Sequence, residues 1–574
     1  MSLCKNNRMA KPGLKAYTCF LLLTGVVFAC LSLTPANSDN TFSRESGFYD
    51  RPFYLRIRTE PGTDVYYTLD GSEPDENATP YTAPIYIEDA TNRENTLSMH
   101  ELSDMTAQTA HGGYHVEDYV VPDYLIDKCT VLRAVLIGQD GTKKYYTKTY
   151  FVGAHRPMSG GYVISLMTEP DNLFNETKGI YVAGRQGGQE ANFFRHGRDW
   201  EREAAVQFFD QTGKECINKK IGIRIRGGES REGLPKSFSL YARRGYDSEN
   251  CFDLDFFGNN YRAKRLQLET GGDQTVNPVS DYLVHSHIAE LNVASKNYVP
   301  CELYLNGEYW GFYWICERYD EEFLAYHYGC DADDIMIYKT SLYHVNEPDV
   351  SAEFLAMQDY IRMHDMSDDT AYREACEKID VESYIDYYAL MIFLARKYDW
   401  PWMNTSAWRT RTTDERPYHD GKWRWMVFDV NSPCMGFDAP STDETLPNFV
   451  SNADRSIASA MFSSLWVNEE FRIRFRDRIT EIAEQYFQLD EVDAFLDAFD
   501  AGFRPYLEKS WARYYGKDNG KLAEYQTSVT DKKRFFRERQ GMLYWWFHNE
   551  SYAPWFSDYT YDNYLQYTQY VGTY

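Results

Sequence analysis

Basic charge is in short supply in this sequence relative to acid. Its 60 lysines and arginines stand against 86 aspartates and glutamates, a net charge of −26, which excludes the nonspecific binding of nucleic acid or of an anionic membrane surface that clustered Lys and Arg would give. The acidity serves solubility, and a basic or neutral partner fits it better than an acidic one. Metal-binding cysteine spacing is also lacking: none of the eleven cysteines forms a CxxC pair, so the thiols read as free buried groups or as disulfides whose pairing stays open. No pair of carboxylates is singled out for a sugar cleft, which leaves glycoside hydrolysis without support. What the chain does have is apolar material, 43% hydrophobic and 16% aromatic over 574 residues. That excludes disorder and suffices for two or more domains.

Lys5, Arg8, Lys11 and Lys15 precede an apolar run from about Tyr17 to Leu33, and small residues follow at Ala36 and Ser38. Residues 1–38 therefore read as an export signal. Two alternatives stay open: the run is nearly long enough to remain as a membrane anchor, and Val27-Phe28-Ala29-Cys30 is a loose lipoprotein cleavage site. The expected location is secreted or at the cell surface, with membrane or lipid anchoring only through this segment. Residues 47–153 alternate as strands, at Phe53-Tyr-Leu-Arg-Ile-Arg, Val65-Tyr-Tyr-Thr-Leu, Ile85-Tyr-Ile and Val131-Leu-Arg-Ala-Val-Leu, with turns at Pro61-Gly62, Asp70-Gly71 and Asp140-Gly141. They predict a small β-sandwich. Val65-Tyr-Tyr-Thr-Leu-Asp70-Gly-Ser-Glu-Pro74 and the later Tyr81-x-x-Pro84-Ile resemble the immunoglobulin-like module at the C-terminus of chitobiases. That resemblance implies an accessory role, as a spacer or a glycan contact. The polar stretch from Asn92 to Gly113 reads as an insertion without assigned function.

After the linker His155-Arg-Pro-Met-Ser-Gly-Gly, a second domain is expected over 160–545. Its strand Ile221-Gly-Ile-Arg224-Ile-Arg226 places both arginines on one face, opposite the isoleucines. The strand runs into Gly227-Gly-Glu-Ser-Arg231 and then Pro235-Lys236-Ser-Phe238. A glycine turn edged by cations suits phosphates, because the backbone approaches closely and the cations offset charge. Val299 to Arg318 reads as a hairpin turning at Asn306-Gly307. Further on, Asp380 caps a helix with Ile385, Tyr388, Ala389, Ile392 and Ala395 on one face. That helix delivers Asp399-Trp-Pro-Trp-Met-Asn404, followed by strands over Thr405–Thr410 and Lys422–Phe428 that lead to Asp429-Val-Asn431. Helical apolar periods at Phe471, Phe475, Ile479, Ile482 and Tyr486, and again over 531–547, predict a helical C-terminal part. The Tyr-rich residues 551–574 lack Lys and Arg and read as a tail.

Phosphoryl transfer needs a carboxylate at the acceptor hydroxyl, with an amide and a second carboxylate holding metal against the phosphates. Protein kinases supply these groups as Asp-x4-Asn and a later Asp. Asp399, Asn404 and Asp429 match that spacing. Together with Trp408-Arg409 and Gly421-Lys-Trp-Arg-Trp-x-x-Phe-Asp429, they resemble the CotH kinase family, which includes spore-coat proteins acting as atypical protein kinases. The resemblance runs from about Val163 to about Arg539 and implies an α/β (α+β) kinase-like domain, which the all-β immunoglobulin-like module read above precedes in a multidomain chain. It also implies ATP with Mg²⁺ or Mn²⁺ as cofactors, Asp399 as base, Asn404 and Asp429 as metal ligands, and Lys236 on the phosphates. In this reading Glu317 orients Lys236, and Arg226 lies nearby. Three positions depart from the family pattern: Glu269 where Arg is usual, Asn431 where the family has Asp, and Met403 in place of a common Asn. Two functions follow, an exported kinase acting on hydroxyls of a protein acceptor, and a noncatalytic surface protein of pseudokinase type that binds glycans or proteins.

Overall fold

The computed structural model describes residues 40–106, 118–271, 276–340, 346–396, 400–401, 403–430, 445–451 and 456–548. Asp399, Asn431, the N-terminal apolar run and the Tyr-rich tail lie outside them. Among the described residues no helix is long and apolar enough to cross a membrane.

The N-terminal module sets a five-stranded sheet, ordered Gly47–Tyr49, Lys143–Val152, Thr130–Ile137, Asp64–Thr68 and Thr79–Pro80, against the pair Phe53–Leu55 and Ile85–Ile87. Side chains alternate across a strand, and here the alternation separates two cores. Leu132, Ala134, Leu136, Tyr150 and Val152 close on Leu55, Ile57, Ile85 and Ile87 inside the module. Their neighbours Val131 and Phe151 point the other way and join the large core of the second domain. The insertion docks there as well, through Leu97 and Met105, and the Glu308 carboxylate accepts from the backbone N–H of Ser98 at 2.8 Å.

Seven strands of the second domain close into a barrel, in the order Glu215–Arg226, Ser237–Tyr241, Arg265–Glu269, Glu308–Glu317, Tyr298–Leu305, Tyr162–Met167 and Arg202–Phe209. The Asn306-Gly307 turn forms as expected, with both residues at positive φ, 46° and 89°, and Leu305 paired to Glu308. Positive φ at both central residues suits the twist of the flanking strands. The helix Leu489–Tyr515 crosses the last hairpin strand, where Trp314 stacks on Phe499 at 6.0 Å and the Tyr514 hydroxyl donates to the Trp310 carbonyl at 2.6 Å.

Beyond the barrel, Ile335–Lys339, Ser406–Thr410 and Arg424–Met426 form a three-stranded antiparallel sheet. The first of these strands adds to the two expected from the sequence. The helix Val381–Phe393 packs beside this sheet, and its Asp380 cap is in place, accepting from the Ser383 N–H at 3.1 Å. The expected single apolar face is instead a helix buried on every side from Ser383 to Phe393, because helices close over its outer surface too. Ile457–Trp466, Glu469–Glu481, Leu489–Tyr515 and Lys521–His548 supply the expected helical C-terminal part, with Phe471, Phe475, Ile479 and Ile482 buried.

Candidate active site

Antiparallel register decides which side chains meet. Ile225 lies opposite Phe238 and Arg226 opposite Ser237, so the isoleucines face inward and Arg224 and Arg226 share the other face. Ser239 continues to Gln267 and then to Cys316, and Glu269 pairs with Trp314. Arg226 and Glu269 thus project from the same surface of the barrel wall. Their charges meet at 2.9 Å, and the Lys296 ammonium approaches the same Glu269 oxygen at 3.4 Å from the segment preceding Tyr298–Leu305. Burial works to raise the Glu269 pKa, but Arg226 and Lys296 more than offset it and hold the carboxyl down at about 2. Glu269 is thus the carboxylate that organises two cations.

Opposite this wall stands Asp429, just past the end of Arg424–Met426. The Asn404 side-chain amide donates to its carboxylate. Both residues sit in the left-handed region, at φ 55° and 57°, a conformation that Asn and Asp tolerate better than other side chains and that concentrates at functional sites. Asp429 is close enough to add to the forces favouring the Arg226 charge; burial opposes that charge, and Glu269 contributes most to sustaining it. Asp281 bridges the two sides by accepting from the Val430 N–H at 2.9 Å. Burial first, then Glu269 and Asp429, push the Asp281 pKa up to about 7. His285, one turn on in Ser280–His287, accepts from the Lys296 N–H at 3.2 Å through Nδ1. Burial, reinforced by Lys296, lowers its pKa to about 3 and keeps the ring neutral.

The expected Lys236–Glu317 pair does not form. Phe238 aligns with Leu268 and Leu268 with Ile315, which sets Lys236 level with Tyr313, whose hydroxyl donates to the Lys236 carbonyl at 3.0 Å. Glu317 is four residues further along, about 13 Å at some 3.3 Å per residue. Each group is satisfied locally. The Lys236 ammonium donates to the carbonyls of Arg231 and Glu232 at 2.5 and 3.3 Å and lies 4.0 Å from the centre of the Phe193 ring. Glu317 is taken up by His327 Nε2 at 2.9 Å and by the Asn297 backbone and side-chain N–H groups, both at 2.9 Å. Lys236 therefore braces the glycine turn from beneath. Arg231 does the same, through the carbonyls of Gly227, Phe193 and Phe194. The Lys–Glu pair of this cleft is Lys296–Glu269, and no motif marks Lys296 in the sequence because its partner lies across the barrel wall.

A family model described as CotH kinase protein matches residues 223–543, more than half of the 574 residues. The chain belongs to the CotH kinase family. A second model, described as Fn3 associated, matches residues 55–150 in the N-terminal module expected to be chitobiase-like. No curated protein matches the chain. Membership makes this a kinase-type protein, and ATP-utilising chemistry belongs to that family. The CotH match begins on the strand carrying Arg224 and Arg226 and encloses Asn404 and Asp429. Among the described residues no cluster of three or more His, Cys, Asp or Glu is placed for a metal. That is compatible with Mg²⁺, which takes one or two carboxylates and completes its shell with water and substrate phosphates. Asp429 with the amide oxygen of Asn404 fits such a two-donor set, and Arg226 across from them fits the phosphates that would accompany the ion.

Proposed function

We propose that this CotH protein is an exported protein kinase that transfers the γ-phosphoryl group of ATP to hydroxyls of a protein acceptor. What carries the reading is that the Asn404–Asp429 pair lies within electrostatic reach of Arg226, which Glu269 ties to Lys296. Asp429 and Asn404 would hold Mg²⁺ or Mn²⁺, and the ion supplies charge neutralisation on the transferring phosphate. Arg226 and Lys296 bind the phosphate chain, and Glu269 fixes both cations in position. Asp281 anchors the backbone that follows Asp429 through the Val430 N–H. Asp399, in the Asp-x4-Asn spacing, takes the proton from the acceptor hydroxyl.

The test separates the two aspartates. Asp429→Asn removes an anionic ligand and weakens metal-dependent nucleotide binding. Asp399→Asn leaves binding intact and lowers turnover by about 10²–10⁴-fold, the usual contribution of a general base. Binding is read by thermal shift with ATP and each metal, turnover by phosphate transfer to casein-like and self acceptors, and folding by circular dichroism. A wild-type chain that neither binds nucleotide nor transfers phosphate under either metal would replace this reading with the noncatalytic glycan- or protein-binding one.

A further inference from the structure

The strand Ile335–Lys339 ends beside the metal-binding pair, although no motif marks it. Its next residue, Thr340, accepts from the Asn404 N–H at 3.0 Å and donates its own N–H to Thr405 at 2.9 Å. Asn346 clamps Lys339 from the other side, accepting from its N–H at 2.9 Å and donating to its carbonyl at 2.8 Å. Alternation fixes the direction of the side chains. Tyr338 turns away to stack on Phe354 at 3.9 Å, whereas Ile335 and Ile337 pack with Tyr319, Phe323, Trp408 and Met426. Lys339 therefore shares the face that looks onto the Arg318-Tyr319-Asp320 segment of the barrel.

Two acids, Asp320 and the adjoining Glu321, act on Lys339 from that side. Asp320 is already committed: one oxygen accepts from the Phe323 N–H at 3.1 Å, and the other meets Arg265 at 3.0 Å and Arg318 at 3.8 Å. Arg318 also donates to the Tyr241 hydroxyl at 2.9 Å. Lys339 makes no ion pair with any described residue. Burial, then Arg318, push its pKa down to about 8, outweighing Glu321 and Asp320, which act to hold it up. A chain of net charge −26 repels polyanions at long range, so a site for one must be built from a local excess of cations.

We propose that Lys339 and Arg318 form an anion subsite that takes a phosphate of the nucleotide. The assignment rests on the kinase reading and makes Lys339, in place of Lys236, a lysine that meets the phosphates. A lysine at the end of a fixed strand contributes a point charge, and Arg318 adds planar donors.

The experiment measures binding of ATP, ADP, inorganic pyrophosphate and adenosine to the full chain by calorimetry, for wild type, Lys339→Met, Lys339→Arg and Arg318→Gln. Lys339→Met is expected to weaken ATP, ADP and pyrophosphate about 10- to 100-fold, the range of one charge-assisted hydrogen bond. Adenosine binding should not change, and Lys339→Arg should recover most of the loss. Arg318→Gln gives the same pattern and decides the matter if Lys339→Met does not fold. Pyrophosphate binding equal to wild type in the folded variants overturns the subsite and leaves the kinase reading standing. Wild type binding pyrophosphate, with loss in the variants, but no nucleotide would leave an anion site at these two residues while overturning its assignment to the nucleotide together with the kinase reading. Wild type binding neither overturns both.

Discussion

Glu269, which departs from the resembled pattern in sequence, is explained by its neighbours in space. It lies between two cations, at 2.9 Å from Arg226 and 3.4 Å from Lys296. Removing one partner of a buried ion cluster leaves uncompensated charge and costs about 3–5 kcal/mol. Glu269→Gln is therefore expected to lower stability by that order in urea denaturation, and to weaken nucleotide binding because Arg226 and Lys296 lose their fixed positions. Lys236 makes a different prediction, since burial lowers its pKa to about 7 in the folded chain while an unfolded lysine titrates near 10.4. Between those values the unfolded state binds more protons, so stability rises with pH, by up to about 1.4 kcal/mol per unit. Below about pH 7 both states are protonated and this dependence vanishes. Lys236→Met should remove that share of the slope, measured at pH 7, 8 and 9. A lysine acting only on ligand phosphates would leave the slope unchanged and alter ligand binding instead.

At the scale of elements, the site depends on how a buried helix holds a strand. Ser383, in the first turn of Val381–Phe393, accepts from the Trp425 N–H at 2.9 Å, and Trp425 lies in the strand that leads to Asp429. Ser383→Ala leaves that buried donor unpaired, at a cost of about 1–3 kcal/mol. The expected result is a lower melting temperature with a weakened response to metal and nucleotide, because the strand end carrying Asp429 is less fixed. The Asn306-Gly307 turn has a second task besides reversing the chain. Gly307 accepts from the Cys129 N–H at 2.8 Å, and an added Cβ there would come within 2.7 Å of the Cys129 carbonyl while φ stays at +89°. Gly307→Ala is thus expected to loosen the module from the barrel, read as increased protease cleavage near residues 125–130.

For the whole molecule, the two expected domains share more than a linker. Val131 and Phe151 of the module belong to the core of the barrel domain. The Thr149 hydroxyl lies 2.9 Å from Ser165 Oγ and 2.6 Å from Gln207 Oε1, and Asp127 meets Lys509 at 2.7 Å. A buried apolar and hydrogen-bonded interface couples the stabilities of its two sides. Scanning calorimetry should accordingly show one cooperative transition, and limited proteolysis should spare residues 154–161. Two separate transitions would restore the picture of an independent module.

The local elements follow from residues close together in the chain. Alternation in Val131 to Leu136, the Asn306-Gly307 turn, the Asp380 cap and the helical period through Phe471, Phe475 and Ile479 depend on interactions within a few residues, and each is found in the structure. The sequence also placed Arg224 and Arg226 on one face and singled out Asn404 and Asp429, which the fold brings into hydrogen-bond contact. Which charges pair depends instead on contacts between distant parts of the chain. Barrel closure and strand register set Lys236 and Glu317 apart while bringing Glu269 to Arg226 and Lys296, and register is a property of strands distant in sequence. The third strand, Ile335–Lys339, remained unread for the same reason. It becomes a strand by pairing with Ser406–Thr410, and that pairing sets Lys339 beside Asn404.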